Sequence, residues 1–228
     1  MSGFEGFPVE GIRFLADLRD HNDREWFTAN RETYDRALIE PARDLVEAIG
    51  LELERAGIDA NADPRVGGSI FRINRDTRFS KDKRPYKDHL DLWFWQGAGP
   101  SRERPGYFFR LTPEALFLGA GMHHFERPLL ERYRAAVVDD RRGAALARAV
   151  AQVERAGFDV GGRTYKRVPT GYDAPEKRAP LLLHGGLYAG MELAHPKELH
   201  RRAFPRFCVS HFRKLRPLQD RIVELVDG

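Results

Sequence analysis

GYFFRLTPEALFLGAG, residues 106–121, is the stretch on which the fold class turns. Two apolar runs, 106–112 and 115–121, flank the short turn Pro113-Glu114, which predicts a β-hairpin. Upstream, HLDLWFWQ (89–96) alternates, with Leu90, Leu92 and Phe94 on one side and His89, Asp91, Trp93 and Trp95 on the other. SIFRIN (69–74) is β-like through Ile70, Phe71 and Ile73. Four strands joined by modest loops predict an antiparallel meander.

Helical periodicity flanks these strands. Val9, Ile12, Leu15 and Leu18 recur at three-residue spacing, widened by Phe14. Asn22 followed by Glu25 reads as a capping box opening a second helix, with Trp26, Phe27, Tyr34 and Leu38 as its apolar side. Pro41 suits the first turn of a third helix, and Gly57 its C-terminal stop. Residues 125–138 and 142–156 return to helical spacing, with Gly157 as the stop. Residues 157–195, punctuated by Pro169, Gly171, Pro175, Pro180, Gly185 and Gly186, read as a long irregular connection. A C-terminal helix is expected over about 196–226, interrupted at Pro205 and Pro217. The expectation is a single α+β domain spanning residues 1–228: N-terminal helices, a central antiparallel sheet of about four or more strands, and C-terminal helices. No βαβ alternation or glycine-rich dinucleotide loop argues for a Rossmann architecture.

The chain has 228 residues, 42% hydrophobic and 32% charged, which is globular composition. No apolar run approaches the roughly 20 residues of a membrane-spanning helix. The N-terminus MSGFEGFPVEG has neither a basic leader nor an apolar stretch, and a single cysteine, Cys208, excludes an internal disulfide. These features predict a cytoplasmic protein with no membrane partner.

Charge is unevenly distributed. RINRDTRFSKDKRPYK, residues 72–87, sets seven bases against two acids, a local +5 where the whole chain carries +4. Such a concentration attracts anions. Arg72, Arg75, Arg78, Lys81, Lys83 and Lys87 are the candidate anion-binding cations, with Tyr86 as a stacking or hydrogen-bonding companion. Asp76 and Asp82 are suited to orient an arginine side-on. Arg110, set in the apolar run GYFFRLT, calls for a buried partner or a cleft, and Asp91 is the candidate partner. Lys166, Arg167, Tyr172 and Lys177 make a second basic–aromatic group, which shares one pocket with residues 75–87 if the two loops converge.

The reading favoured here is a small anionic ligand, phosphate-bearing or a carboxylate. The alternatives are a nucleic-acid-associated protein and a basic loop that serves only structure. No catalytic residue is assigned, because Asp76 and Asp82 each have cationic neighbours that lower a carboxyl pKa and weaken it as a base. No cofactor is expected. No metal is expected either: His123 and His124 are adjacent, His195 and His200 are five apart, and neither H-E-x-x-H nor C-x-x-C occurs. Cys208, flanked by Phe207, Val209 and Phe212, reads as a core residue.

RDTRFSKDKRPYK (75–87) resembles the signature of a conserved-hypothetical family, a domain of unknown function of bacteria and fungi. FL-x-x-L (14–18) with NDREWF (22–27) is similar to that family's opening helices, GAGMH (119–123) to its glycine-rich strand end, and KRVPTGYD (166–173) to its K-x-x-P-x-G-Y segment. After GYD the family continues with a His-Pro pair, where this chain has Ala174-Pro175. The resemblance covers most of the chain and brings no activity with it.

Overall fold

A computed structural model describes residues 3–228. The chain opens with α1 (Val9–Asp20) and the short α2 (Arg24–Ala29). α3 (Arg31–Tyr34) passes through a π-helical segment, Asp35–Ile39, into α4 (Glu40–Arg55). Strands β1 (Leu90–Trp95), β2 (Gly106–Leu111) and β3 (Ala115–Met122) follow. α5 (Arg127–Val138) and α6 (Asp140–Arg155) come next, then β4 (Asp159–Arg163), β5 (His184–Ala194) and the long α7 (Phe204–Asp227). The strands form one antiparallel sheet in the order β1-β2-β3-β5-β4, so the fold is α+β as the sequence implies.

The expected hairpin is β2–β3. The Thr112 amide donates to the Ala115 carbonyl at 2.9 Å, and the Thr112 hydroxyl accepts from the amides of Glu114 and Ala115. Buried Tyr107, Phe109 and Leu111 alternate with half-buried Phe108 and Arg110 along β2. One sheet face is therefore sealed while the other is partly open.

Two sequence expectations need correction. Residues 69–74 do not form a full strand; they touch β1 through an isolated bridge, Ile70 to Leu92. The Phe71 amide donates to the Asp91 carbonyl and the Trp93 amide to the Ser69 carbonyl, so this irregular ribbon covers an otherwise open sheet edge. Conversely, residues 157–195 are not merely a connection, since they contain β4 and β5. Their glycines hid them, and the glycines are there because backbones pass close together. A β-carbon on Gly186 would lie 2.1 Å from the His123 carbonyl oxygen, and one on Gly162 2.2 Å from that of Gly186. Gly162 also has φ +102°, at a register irregularity between β4 and β5.

The helix stops hold. Gly57 and Gly157 adopt φ of 66° and 90°, and the amides of Ile58 and Phe158 reach back to the carbonyls of Leu53 and Val153. α7 begins at Phe204, with Pro205 in its first turn, and continues through Pro217 rather than breaking there. The carbonyl that Pro217 leaves without a donor belongs to exposed Arg213, where water can replace the bond.

By Cα proximity the chain divides into two compact units. The first takes residues up to Phe94, Phe108–Phe117 and Glu192–Ser210; the second takes Trp95–Tyr107, Leu118–Met191 and His211–Gly228. In the first, Phe14 packs against Phe27 and Tyr34, and Phe204 against Phe7 and Phe109. In the second, the Tyr133 hydroxyl donates to the Leu181 carbonyl, and buried Arg178 donates to the carbonyls of Asp139 and Asp140 where α5 meets α6.

Pro41 sits inside a continuous helical run and supplies no amide hydrogen to the Ala37 carbonyl, and the π-helical widening lies just before it. α1 approaches here so closely that a β-carbon on Gly11 would lie 2.4 Å from that carbonyl oxygen. Gly11→Ala should therefore destabilise by roughly 1–3 kcal/mol, read as a lowered urea midpoint, while Gly3→Ala, with nothing within 4 Å, should leave it unchanged.

Candidate functional site

The basic ribbon is closed like a hairpin. Arg75 N–H donates to the Pro85 carbonyl and Lys87 N–H to the Ile73 carbonyl, both at 2.8 Å, with Asn74 bridging to Tyr86 between them. It is anchored from the α1–α2 corner by Asn22. That side chain donates to the Tyr86 carbonyl (3.1 Å) and accepts from the Tyr86 amide (3.0 Å), behaving as one more strand residue. Asn22 is thus not the helix cap that the sequence suggests; Asp23 is, accepting from the Trp26 amide at 2.8 Å. Tyr86 is buried with its ring stacked on Phe27, centroids 4.2 Å apart, so it packs the ribbon down rather than offering a face to a ligand.

Within the ribbon two Asp-x-Arg clips recur. Asp76 accepts from the backbone amide and the guanidinium of Arg78, and Asp82 does the same with Arg84. Asp63 and Arg65 repeat the device upstream. Each is an Asx turn locked by an ion pair. Asp82 also takes Arg75 at 2.5 Å. Hydrogen bonds from Arg78 hold the Asp76 carboxyl down to about 2, and those from Arg84 and Arg75 hold Asp82 lower still. Both aspartates are therefore structural acceptors. Lys83 donates to the Thr77 carbonyl. Among the described residues, exposed Arg72 and Lys81 have no carboxylate partner.

The densest charge arrangement lies where the ribbon meets the sheet. Asp91 of β1 is buried, 3% of its side chain exposed. Arg110 of β2 reaches it through Nε at 2.7 Å and Nη2 at 3.1 Å, the partnership expected from the sequence. Lys87 Nζ lies 3.4 Å and His89 Nε2 3.3 Å from the same carboxylate. Burial alone would raise the Asp91 carboxyl, but hydrogen bonds and charge from His89 and Arg110 outweigh it and hold the group at about 2. Lys87 rests over the Phe71 ring and Arg110 over the Phe108 ring, each at 5.3 Å. Phe117 of β3 lies beside Phe108, and Trp93 of β1 is half-buried. A further tie comes from Arg19 of α1, which bonds both Asp88 and Glu114.

Seven of the nine sequence candidates are thereby accounted for in the first unit by a definite partner or by open exposure, an eighth, Tyr86, by packing. Lys166 lies in the second unit, exposed, with no ion pair among the described residues. Asn22 and Arg19 were not foreseen as supports: the sequence marks Asn22 only as a cap, and nothing local distinguishes Arg19. The D-x-R spacing was visible and is the signal for the clips. Among the described residues no group of three or more His, Cys, Asp or Glu is placed to hold a metal ion, and no helix is long and apolar enough to cross a membrane. Cys208 is wholly buried, and burial pushes its thiol up, away from nucleophilic use.

The molecule is thus an α+β protein carrying a carboxylate-centred cation cluster on the open side of its sheet. The chain belongs to the conserved hypothetical protein family DUF2461, whose profile matches residues 10–220. A search of curated proteins finds no match.

Asn22→Ala should weaken the ribbon by about 1–3 kcal/mol, detected as faster amide exchange over residues 73–87 with α6 unchanged. Asp91 ionises below its ordinary 3.8, at about 2, so its contribution is complete above about pH 4 and is lost as pH falls through 2. Asp91→Asn should remove on the order of 2 kcal/mol at neutral pH and flatten the acid limb of stability between those limits, measured by urea denaturation across pH.

Proposed function

We propose that this protein binds a small anionic ligand, a phosphate or carboxylate, on the open sheet face where Lys87 and Arg110 converge on Asp91. One observation carries the reading: Asp91 engages Arg110 through Nε and Nη2 only, leaving Nη1 uncommitted on a side chain that is 40% exposed, with the Lys87 ammonium beside the same carboxylate. Two fixed positive charges against one negative leave a surplus that suits an anion, and the clamp means that little side-chain entropy is lost on binding. Phe71, Phe108 and Trp93 supply a flat aromatic border, which favours a phosphate-bearing molecule with a ring, such as a nucleotide. Arg72 and Lys81 add attraction at longer range. The internal ion pairs of Arg75, Arg78 and Arg84 support a scaffolding role for those arginines, so the ribbon holds the site and its exit residue, Lys87, enters it. The lone buried cysteine suits a reducing, cytoplasmic setting.

A second reading, single-stranded nucleic acid, draws on Phe79. Its ring is 95% exposed at the ribbon, between Arg78 and Ser80-Lys81, the kind of aromatic that stacks on an unpaired base among cations. A band shift at low salt that fades steeply with added salt, and is lost in Phe79→Ala, would select it over the first.

Calorimetric titration with inorganic phosphate and with a nucleotide tests the first reading. Lys87→Met leaves Asp91 paired with Arg110, so it should fold normally and bind roughly tenfold or more weakly. Wild-type affinity in that variant, or no heat and no thermal shift with either anion in the native protein, would remove the proposal.

A further inference from the structure

In the second unit α5 carries a guanidinium with no counter-ion among the described residues. Arg134 lies 4.7 Å from the Tyr165 ring centroid and 5.6 Å from that of Tyr172. Its Nε is buried without a hydrogen-bond partner, and no carboxylate pairs with it among the described residues. Its two terminal nitrogens have no hydrogen-bond partner among the described residues and are not sealed as Nε is, on a residue that is half-buried as a whole. Lys166 and Arg167, which follow Tyr165 directly, are exposed and also lack a carboxylate partner. The two rings hold the guanidinium without neutralising its charge, and a loop that also carries two exposed cations next in sequence to one of those rings favours a doubly charged guest over a singly charged one.

We propose that Arg134, clasped by Tyr165 and Tyr172, is the receptor of a second anion site that takes a terminal phosphate group, bound end-on by the two outer guanidinium nitrogens with Lys166 and Arg167 as flanking charges. The two rings hold the guanidinium plane by cation–π contact, so the fork is aimed before the anion arrives. This assigns a task to the loop that carries K-x-x-P-x-G-Y: Tyr165 and Tyr172 bracket its exposed stretch, and closing both onto one arginine shapes an otherwise irregular segment. It also gives Lys166 a place independent of Lys87 and Arg110. The site stands or falls apart from the sheet-face site, because all of its residues belong to the second unit.

The test is titration of the full chain, with ring-labelled tyrosine, by inorganic phosphate and by glucose 6-phosphate, followed by NMR against sodium chloride at matched ionic strength. The Tyr165 and Tyr172 signals should move with both phosphates at millimolar concentration and not with chloride. A response to the sugar phosphate alone would assign the site to monoesters; a response to both would assign it to the phosphate group itself. Arg134→Met should weaken the response about 10- to 100-fold. Arg134→Lys retains the charge without the planar fork, so it should fold as wild type and bind at an intermediate level. Lys87→Met should leave these two signals responding as in the native protein, which separates this site from the one on the sheet. Unmoved tyrosine signals in the folded native chain, or an undiminished response in Arg134→Lys and Arg134→Met alike, would overturn the assignment.

Discussion

A carboxylate buried in an outer strand organises the first unit. Asp91 cannot sit at 4% residue exposure as an anion unless cations and donors surround it. They come from three places along the chain: Arg110 from the next strand, Lys87 from the exit of the ribbon and His89 from just before β1. A pair of this kind adds little net stability over an apolar replacement, yet removing one partner strands the other in a poorly solvated place. Its greater consequence is positional. It fixes the orientation of Arg110, ties the ribbon to the sheet and leaves a charged, aromatic-bordered surface that faces outward.

The ribbon itself illustrates how a concentration of charge can be mostly internal. Two aspartates take three arginines, and each clip couples an Asx turn to an ion pair two residues on, so the same carboxylate shapes the backbone and neutralises the side chain. The pairs are largely exposed and individually weak in water. The closure of the ladder at Arg75–Pro85 and Ile73–Lys87, with Asn22 bonded to both backbone groups of Tyr86, does more to hold the loop in place. Arg75, Arg78 and Arg84 are thus committed within the ribbon, while exposed Arg72 and Lys81 have no carboxylate partner among the described residues.

Much of the fold was legible because its signals are local. Alternation in β1, the hairpin around Pro113-Glu114 and the glycine stops at Gly57 and Gly157 each follow from side-chain period or from a backbone conformation that glycine tolerates. The pairing of Arg110 with Asp91 was legible too, since an arginine in an apolar strand needs an acid and adjacent strands offered one. β4 and β5 were not, because their glycines look like loop punctuation until the neighbouring backbones that exclude a β-carbon are in view. Asn22 was misread for a related reason: a local capping pattern was present, but a partner 64 residues away outcompeted it. Arg134 carries no sequence signal at all, being one more cation on an amphipathic helix until two distant tyrosines close on it.

The amino-acid sequence alone determined the α+β class, the order of most elements, the concentration of positive charge in residues 72–87 and the family to which the chain is similar, since periodicity, turn chemistry and composition act over a few residues. Only the tertiary structure decided which cations are neutralised and which stay available. A cation's availability depends on which of its donors a neighbouring carboxylate takes, and for Arg110, Lys87 and Arg134 that is settled by which strands and loops the fold brings alongside.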